Sequence, residues 1–519
     1  MRGSVTVRPS LPTGIQLIDR ALDYEDRVAF RSGETPFPTF HTYADLLKVS
    51  EKIAGELLRG SPDLEEERIA FLIPSGFEYA AVQWGIWRAG GIAVPLSPGA
   101  KEPELEHMLT DAGISSVLLA SDLDEGIGPL CARLGIPTVR VEPDPPAGPS
   151  PGPPRQEFPV LTPDRRAMML YTSGTTNKPK GVVSTHGNIE AQITSLVEAW
   201  GWKADDRIPL FLPLHHIHGI VNVLSCALWS GAQVEAFPAF DMDRVLERVG
   251  ERAYTVFMAV PTIYVKLIQA LESANRQDRE VWAEGFGRMR LMISGSAALP
   301  ASIHEKWTHL TDQKLLERYG MTEIGMGLSN PLKGERRPGA VGQPLPGVEL
   351  RLVGESGEII GGEGEPGEIQ IRGPAVFTEY WNLPEVTANS FQDGWFRTGD
   401  MAVLESGYYR ILGRLSVDII KSGGYKLSAL EIEDVLRQHP QIQECAVVGI
   451  EDETWGEAVA AAVLTRGGGA LTLPDLKGWA TDRLSDYKIP KHLKVLDDFP
   501  RNAMGKVMKP ALKELFRPG

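Results

Sequence analysis

Between residues 68 and 120, short apolar runs alternate with segments whose apolar residues have helical spacing. Arg68–Pro74, Gly90–Pro95 and Ser115–Ala120 have the length and composition of buried strands. Residues 76–89 and Pro103–Asp111 are typical of the intervening helices, and the proline stands where a first helical turn tolerates it. Because a helix between two strands returns the chain to the same edge of a sheet, this alternation predicts an α/β fold around a parallel sheet.

The rest of the sequence predicts more than one domain. At 519 residues the chain is too long for a single core. Seven prolines within Pro143–Pro154 predict a surface linker or loop. The α/β pattern resumes over residues 208–328, whereas residues 349–373 are rich in glycine and alternating apolar residues, which favours antiparallel strands or a small barrel.

A second boundary is expected at Gly413-Arg414, where basic and flexible residues begin to cluster. We expect residues 1–413 to form a large N-terminal domain of layered α/β subdomains plus a small barrel-like β region. Residues 414–519 then have the length of a small α+β C-terminal domain.

The composition argues against several classes of protein. A formal net charge of -15 argues against general nucleic-acid binding, although a local basic cluster is still able to bind an anion. Cys131, Cys226 and Cys445 are few and far apart, which predicts buried thiols and neither a disulfide framework nor a zinc site. No apolar run has membrane-spanning length, and the first residues form neither a secretory signal nor an Arg/Ser-rich presequence. A reducing cytoplasm is therefore the expected location.

A polar segment follows the apolar run Met168–Tyr171. Thr172–Gly181 contains four hydroxyl side chains, two glycines and two lysines, and Val182-Val183 then resumes the apolar pattern. Glycine lets backbone N–H groups turn toward a ligand, while hydroxyl and ammonium groups donate hydrogen bonds to phosphate oxygens. The Gly-x-x-x-x-Gly-Lys-Ser/Thr pattern does not fit the segment. A flexible polar turn is the alternative, and the two lysines favour a phosphate-binding loop.

Three further segments carry groups that suit a nucleotide, and each has a structural alternative. Arg290–Ala298 is an apolar strand that opens into small residues, which let a flat ligand approach the backbone. Glu317–Glu323 offers an aromatic ring for a base, and its last two residues, Thr322 and Glu323, offer hard oxygen atoms for phosphate and Mg²⁺. The alternative for this segment is a core Tyr319 and a solvated Glu323. Asp400 suits a ribose diol, although an aspartate after glycine is also a common turn residue or helix cap.

The order and spacing of these segments are more specific than any one of them. Together with Lys506, which reads as a surface charge when taken alone, they resemble the adenylate-forming superfamily of acyl-CoA synthetases, peptide-synthetase adenylation domains and luciferases. The resemblance covers residues 40–515. Within that superfamily, the stretches that resemble malonyl-CoA synthetases are Pro213–Gly219, Ser294–Pro300, Glu317–Glu323 and Asp418–Lys426.

The resemblance implies an enzyme that uses ATP and CoA as co-substrates and Mg²⁺ as cofactor. A carboxylate attacks the α-phosphorus of ATP to give an acyl-adenylate and pyrophosphate, and the CoA thiol then displaces AMP. It implies that Thr322 contacts the α-phosphate, Glu323 binds Mg²⁺ and Asp400 holds the ribose hydroxyls. The other residues implied to bind ATP are Thr172, Ser173, Gly174, Thr175, Thr176, Lys180, Ser296, Ala297, Ala298, Glu317, Arg318, Tyr319, Gly320, Arg414 and Lys506.

The same resemblance implies that the C-terminal domain is mobile. The small domain of such enzymes swings between half-reactions about a hinge just after the arginine that Arg414 matches, and we place the hinge at Ser416. In the second half-reaction, the small residues of Gly423-Gly424-Tyr425 are expected to let the pantetheine arm pass. Lys506 is implied to neutralise the charge that develops during adenylation.

Fewer residues bear on the identity of the acid. His216 is expected to gate the acyl pocket, with a packed histidine as the alternative. A dicarboxylate needs a cation because an unpaired buried carboxylate is very costly, and Arg290, near Ser294, is the candidate. Met326 shortens the pocket unless it is an ordinary core residue. Malonate or methylmalonate is the expected acid, although residues 235–240 lack the arginine that some malonate-activating enzymes carry there.

Three other functions remain open from sequence. They are a short- or medium-chain fatty acyl-CoA synthetase, an adenylating enzyme that loads a carrier protein, and a non-catalytic nucleotide-binding protein. No carrier domain is fused after Gly519, which favours free CoA as the acceptor. We expect a small-molecule carboxylate, ATP and CoA as partners, without nucleic acid or a membrane span, and the sequence does not indicate an oligomeric state.

Overall fold

The computed structural model describes residues 13–33, 38–120, 124–141, 157–172, 179–422, 425–501 and 507–517. The predicted linker Pro143–Pro154 therefore lies outside the described residues. So do the predicted site residues Ser173, Gly174, Thr175, Thr176, Gly423, Gly424 and Lys506.

The first part of the chain alternates strands and helices. Its strands are β1 (Val28–Ser32), β2 (Thr39–Thr42), β3 (Arg68–Leu72), β4 (Ile92–Pro95), β5 (Ser116–Ala120), β6 (Thr138–Val141), β7 (Arg166–Thr172), β8 (Lys180–Thr185), β9 (Arg207–Leu210) and β10 (Gln233–Ala236). Its helices are α1 (Gln16–Asp19), α2 (Tyr43–Leu58), α3 (Phe77–Arg88), α4 (Glu102–Asp111), α5 (Asp124–Leu134), α6 (His186–Trp200) and α7 (Cys226–Trp229), with a 3₁₀ turn at Arg20–Tyr24 and a π-helix at His218–Ser225.

The second part is richer in strands. Its strands are β11 (Val256–Ala259), β12 (Leu291–Ser294), β13 (Leu316–Met321), β14 (Gly325–Ser329), β15 (Gln343–Pro344), β16 (Glu349–Val353), β17 (Ile359–Ile360), β18 (Pro366–Arg372), β19 (Glu379–Tyr380), β20 (Phe391–Gln392), β21 (Trp395–Glu405) and β22 (Tyr408–Arg414). Its helices are α8 (Met242–Gly250), α9 (Pro261–Ser273), α10 (Arg276–Gly287), α11 (Ala301–Thr311) and α12 (Pro384–Asn389).

The parallel sheet predicted from residues 68–120 is confirmed and is larger than predicted. Its seven strands lie in the order β19-β8-β7-β4-β3-β5-β6. Strands β7, β4, β3, β5 and β6 are parallel, while β8 is antiparallel to β7, and β19 is antiparallel to β8. The segment after Thr172 therefore connects the two strands of a β-hairpin, in which Thr172 lies opposite Lys180.

Three further sheets complete the region before residue 415. One has the order β2-β1-β10-β9, and another has the order β11-β12-β13-β14-β15. In the latter, β11, β12 and β13 are parallel, and β13 turns back into antiparallel β14. The third sheet, β17-β16-β18-β21-β20 with β22 paired to β21, is antiparallel throughout and confirms the predicted barrel-like β region.

The last hundred residues form an α+β unit with cores of its own. Its strands are β23 (Ile419–Ser422), β24 (Tyr425–Ser428), β25 (Ile442–Asp452), β26 (Gly456–Thr465) and β27 (His492–Val495), and its helices are α13 (Ala429–Leu436), α14 (Leu473–Ala480) and α15 (Lys509–Phe516), with 3₁₀ turns at Arg466–Gly468 and Asp486–Lys488. Alternate residues of β25 face opposite sides: Val447 packs with α13 and α14, and Val448 packs with α15. The fold class is thus confirmed, while the boundary at Gly413-Arg414 stays a prediction.

The expectations from composition can be compared with the described residues. Cys131, Cys226 and Cys445 are buried free thiols, and burial raises the pKa of Cys445 to about 12. Among the ranges that the structure describes, no helix has both the length and the apolar character needed to cross a membrane.

Candidate active site

Two β-hairpins carry most of the predicted nucleotide-binding residues. The β7–β8 hairpin holds Thr172 opposite Lys180. The β13–β14 hairpin turns at Thr322 and Glu323. A Cβ atom on Gly320 would lie 2.2 Å from the carbonyl oxygen of Gly325, so this turn closes only because residue 320 has no side chain.

Glu323 and Lys180 meet at Tyr380. The Tyr380 hydroxyl donates a hydrogen bond to Glu323 Oε1 at 2.9 Å, and Lys180 Nζ lies 5.2 Å from the centroid of the Tyr380 ring. Burial raises the pKa of the Glu323 carboxyl, while the Tyr380 hydroxyl and the positive charges of Arg414 and Lys180 lower it. The side chains of Glu323, Lys180, Tyr380 and Arg414 therefore lie close enough to interact electrostatically.

Asp400 lies between an aromatic residue and a cation. The Tyr319 hydroxyl donates to Asp400 Oδ2 at 2.6 Å, and Arg414 Nε donates to Asp400 Oδ1 at 3.0 Å. Burial lowers the pKa of Arg414, but the Asp400 carboxylate outweighs it, so the pKa of Arg414 is raised overall. The structure thus brings together Tyr319, Asp400 and Arg414, which the sequence places far apart.

A second polar group lies on the other face of β13. Side chains alternate along a strand, so Arg318 points away from the side that Tyr319 occupies. Arg318 Nη2 donates to Ser296 Oγ at 3.3 Å, and His218 Nδ1 lies 3.0 Å from the same oxygen. Ser296, Ala297 and Ala298 are exposed, so this group lies beneath an open turn.

Arg318 is a buried cation for which the described residues supply no counter-charge. Its residue is 5% exposed, and its guanidinium packs against Gly295, where an added Cβ would be 2.4 Å from Arg318 Cζ. Among the residues that the structure describes, no carboxylate forms an ion pair with it, and neither Arg318 Nε nor His218 Nε2 has a hydrogen-bond partner. Burial lowers the pKa of Arg318 to about 9, and burial together with the nearby Arg318 charge holds the pKa of His218 well below its usual value.

The structure does not place Arg290, the predicted acyl-pocket cation, beside Ser294. Arg290 precedes β12, so it lies at the opposite end of the strand from Ser294, about 13 Å away at the usual rise per residue. Its guanidinium forms a bidentate ion pair with Asp206, with Nε 2.7 Å from Oδ1, and also donates to the carbonyl oxygen of Trp200 at 2.9 Å. Arg290 therefore neutralises a buried aspartate and is not available to a substrate.

Other predicted acyl and nucleotide residues lie close to these groups. His216 is half-buried beside the π-helix, 4.2 Å from the ring of His215. Ser294 is buried at the end of β12, and Met326 is buried against Gly320.

Glu317 does not face the open turn. Its carboxylate is 5% exposed and accepts a hydrogen bond from Gly339 N at 3.0 Å. Burial raises the pKa of Glu317 to about 8. Any contact between residue 317 and ATP would therefore come from its backbone.

The predicted hinge lies in an exposed turn. Residues 415–418 connect β22 to β23, and Ser416 is exposed. Asp418 Oδ2 accepts a hydrogen bond from Arg414 N at 2.9 Å, and Lys509 Nζ lies 2.6 Å from Asp418 Oδ1. Tyr425 is 55% exposed and stacks on Tyr487 at 4.5 Å.

The residues present suit one Mg²⁺ ion bound together with phosphates. Within the described ranges, no group of three or more His, Cys, Asp or Glu residues forms a metal cage. Glu323 offers one buried carboxylate and Thr322 one hydroxyl beside it. Mg²⁺ is usually held by one or two carboxylates plus phosphate oxygens, so this donor set fits.

Two polar residues of the site were missed from sequence. His218 lies within Pro213–Gly219, which resembles malonyl-CoA synthetases, but it had no assigned role. Its position on a π-helix, an element frequent at functional sites, shows only in the structure. Tyr380 had no sequence signal, because its partners Glu323 and Lys180 are distant in the chain.

Comparison with known proteins assigns the chain to a family. Residues 18–381 match the AMP-binding enzyme family, and residues 431–506 match the AMP-binding enzyme C-terminal domain. This chain belongs to the AMP-binding enzyme family. The predicted adenylate-forming resemblance is therefore confirmed.

This AMP-binding enzyme is similar over nearly its whole length to relatives whose substrate is named. It is 45% identical to malonate–CoA ligase ACSF3, mitochondrial, of Mus musculus, over 96% of this chain and 90% of that protein. Its structure matches that of ATP-bound MatB from Rhodopseudomonas palustris with a TM-score of 0.86 at 33% identity, over 97% and 99% of the two chains. A malonyl-CoA ligase with methylmalonyl-CoA and AMP bound matches with a TM-score of 0.66 at 36% identity, over 92% and 97%.

Proposed function

We propose that this AMP-binding enzyme is an ATP-dependent malonate–CoA ligase. It converts malonate, ATP and CoA into malonyl-CoA, AMP and pyrophosphate through a malonyl-adenylate. The relatives named malonate–CoA ligase and malonyl-CoA ligase support this assignment. The observation that carries it in this chain is the buried guanidinium of Arg318.

The buried charge of Arg318 supports a substrate with two carboxylates. Burying an unpaired charge is costly, and a carboxylate with good geometry offsets that cost. One carboxylate of malonate is adenylated, and the other is able to form charge-assisted hydrogen bonds with Arg318. An alkyl tail in the same place would leave Arg318 Nε and His218 Nε2 without partners. We therefore assign Arg318 to the acid, with Ser296 and His218 beside it.

The first half-reaction depends on positioning and charge. We assign Lys180 and the hairpin residues Thr172, Ser173, Gly174, Thr175 and Thr176 to the β- and γ-phosphates of ATP. Thr322 contacts the α-phosphate, and Glu323 holds Mg²⁺, which neutralises phosphate charge when bound. Asp400, oriented by Tyr319 and Arg414, accepts hydrogen bonds from the ribose hydroxyls.

The acyl pocket and the adenine site meet at the open turn after β12. We assign Ser296, Ala297 and Ala298 to one face of the adenine ring, together with the backbone of residues 317–320. Ser294 and Met326 close the acyl pocket, and His216 gates it. We propose that a pocket closed by these residues takes a short dicarboxylate.

The second half-reaction is assigned to the C-terminal domain. We propose that residues 414–519 rotate about Ser416 and that Gly423, Gly424 and Tyr425 then line the path of the CoA thiol. Lys506 serves the first half-reaction. Free CoA is the proposed acceptor, as the names of the relatives suggest. The cytoplasmic location stays a prediction, since the relative from Mus musculus is named mitochondrial.

A panel of acids tests the function. Pyrophosphate release should be faster with malonate and methylmalonate than with butyrate or octanoate, and thioester should form with free CoA in preference to a holo-carrier protein. Preference for octanoate would reject the dicarboxylate assignment. Absence of ATP–pyrophosphate exchange with every acid would reject the enzyme itself.

A further inference from the structure

Tyr380 contacts the acidic and the basic side chain on the phosphate side of the site at once. Its hydroxyl donates to Glu323 Oε1 at 2.9 Å, and its ring lies under the Lys180 ammonium at 5.2 Å. The side chain is buried, with 7% of the residue exposed. Two functional groups that belong to different hairpins thus share one aromatic residue.

The backbone around Tyr380 joins the same two hairpins. Tyr380 pairs with Val182 in the β19–β8 ladder, and Trp381 N donates to the carbonyl oxygen of Gly181 at 2.8 Å. Phe377 N donates to the carbonyl oxygen of Glu323 at 2.8 Å. The segment 377–381, which contains β19, is therefore hydrogen-bonded to both the Lys180 hairpin and the Glu323 turn, and these bonds hold the backbone at Tyr380 between them.

This arrangement suits a reaction that depends on charge placement. A cation over an aromatic face is attracted to the ring, and a hydroxyl that donates to a carboxylate fixes one of its oxygens. The hydroxyl contact uses Glu323 Oε1, and the attraction of the ring favours a position of the Lys180 ammonium over Tyr380. A direct Lys180–Glu323 ion pair would cancel both charges that the triphosphate requires.

We propose that Tyr380 is a positioning residue for adenylation, which holds Glu323 and Lys180 apart at a fixed spacing for a metal-bound triphosphate. This inference rests on the proposed function of the site as an ATP site. It goes beyond that function, because it assigns to Tyr380 a role that is exercised through two other side chains, Glu323 and Lys180.

Two substitutions separate the two contacts. Tyr380→Phe keeps the ring under Lys180 and removes the hydroxyl, and Tyr380→Leu removes both. We expect Tyr380→Phe to weaken ATP binding in the presence of Mg²⁺ by about tenfold, and Tyr380→Leu to weaken it further. AMP carries no β- and γ-phosphates, so its affinity should be unchanged in both variants. Titration calorimetry with ATP plus Mg²⁺ and with AMP measures these affinities without any acid.

Tyr43→Phe is the matched control. The Tyr43 hydroxyl is also buried and donates to the carbonyl oxygen of Ala232 at 2.7 Å, but among the described residues Tyr43 forms no hydrogen bond or ring contact with a site residue named above. A similar loss of ATP affinity in Tyr43→Phe and Tyr380→Phe would overturn the proposal, as would equal weakening of ATP and AMP. Retained ATP binding in Tyr380→Leu would overturn it too.

The kinetic readout adds a second criterion. Malonate-dependent ATP–pyrophosphate exchange should fall in Tyr380→Phe, while thioester formation from preformed malonyl-adenylate stays at the level of the unsubstituted enzyme. Equal loss in both steps would refute the positioning role. If the unsubstituted enzyme shows no exchange with malonate, the proposed function fails, and the calorimetric comparison still decides the role of Tyr380.

Discussion

The guanidinium of Arg318 lies directly against the backbone of Gly295. A Cβ atom on residue 295 would be 2.4 Å from both Cζ and Nε of Arg318, so any side chain there displaces the guanidinium. We expect Gly295→Ala to lower kcat/KM for malonate by about tenfold, because a misplaced bidentate donor loses about one charged hydrogen bond. Pyrophosphate-release kinetics measure this. Gly478→Ala on α14 is the control, since no heavy atom lies within 4 Å of its added Cβ.

Arg318 should lower the free energy of unfolding and set the preference for a dicarboxylate. Replacing an uncompensated buried cation by an apolar residue removes a desolvation cost, so Arg318→Leu should raise the free energy of unfolding by about 1–4 kcal/mol. The same variant should lose malonate activity by at least about 10²-fold and activate butyrate in preference. Urea denaturation and an acid panel measure the two effects. A destabilised variant with unchanged acid preference would contradict the assignment.

Arg290 should behave in the opposite way. Arg290→Met leaves Asp206, whose side chain is 2% exposed, without its ion-pair partner. We expect a loss of about 3–5 kcal/mol in the free energy of unfolding, because breaking a buried pair leaves an uncompensated charge. The preference for malonate over butyrate should not change in the folded fraction. A shift toward monocarboxylates would restore Arg290 to the acyl pocket.

Glu317 makes stability depend on pH. Burial raises its pKa in the folded protein to about 8, above the value of 4.5 that it has when solvated. Between these values the folded state binds the extra proton, so stability is highest at low pH and falls as pH rises from 4.5 to about 8. Glu317→Gln should therefore raise the melting temperature more at pH 8 than at pH 5. Equal shifts at both pH values would argue against a raised pKa.

Lys506 should act in only one half-reaction. It lies outside the described residues, and its role follows from the family resemblance alone. We expect Lys506→Ala to slow adenylation by about 10²–10³-fold, the usual cost of losing one preorganised charge. Thioester formation from preformed malonyl-adenylate should be nearly unaffected. Rapid-quench measurement of each step distinguishes this outcome from an equal loss in both.

Local sequence patterns predicted where several strands occur, but not how the strands pair or in which direction they run. Strands β3, β4 and β5 were found where alternation placed them, because burial and periodicity are local properties. The antiparallel direction of β8 was not predictable in this way, since an apolar run such as Val182-Val183 does not indicate the direction of a strand. The hairpin around the phosphate-binding segment therefore emerged only from the pairing of Thr172 with Lys180.

The acyl pocket shows a different limit of sequence reasoning. Arg290 and Arg318 both lie near motif residues, and residue type does not distinguish a paired from an unpaired cation. Strand direction alone disfavours Arg290, because the open turn is at the other end of β12. Arg290 pairs with Asp206, which is distant in the chain, so only the structure shows that Arg290 already has a partner. Arg318 then remains as the candidate. Long-range pairing thus decided the assignment.

The β7–β8 ladder fixes both ends of the proposed phosphate-binding loop. Thr172 and Lys180 are partners across that ladder, so the segment between them leaves and re-enters the sheet at adjacent points. For a loop closed in this way, doubling its length costs only about 0.6 kcal/mol in chain entropy. Insertions between Thr172 and Lys180 are therefore able to change the length of the proposed phosphate-binding loop while Lys180 stays in place.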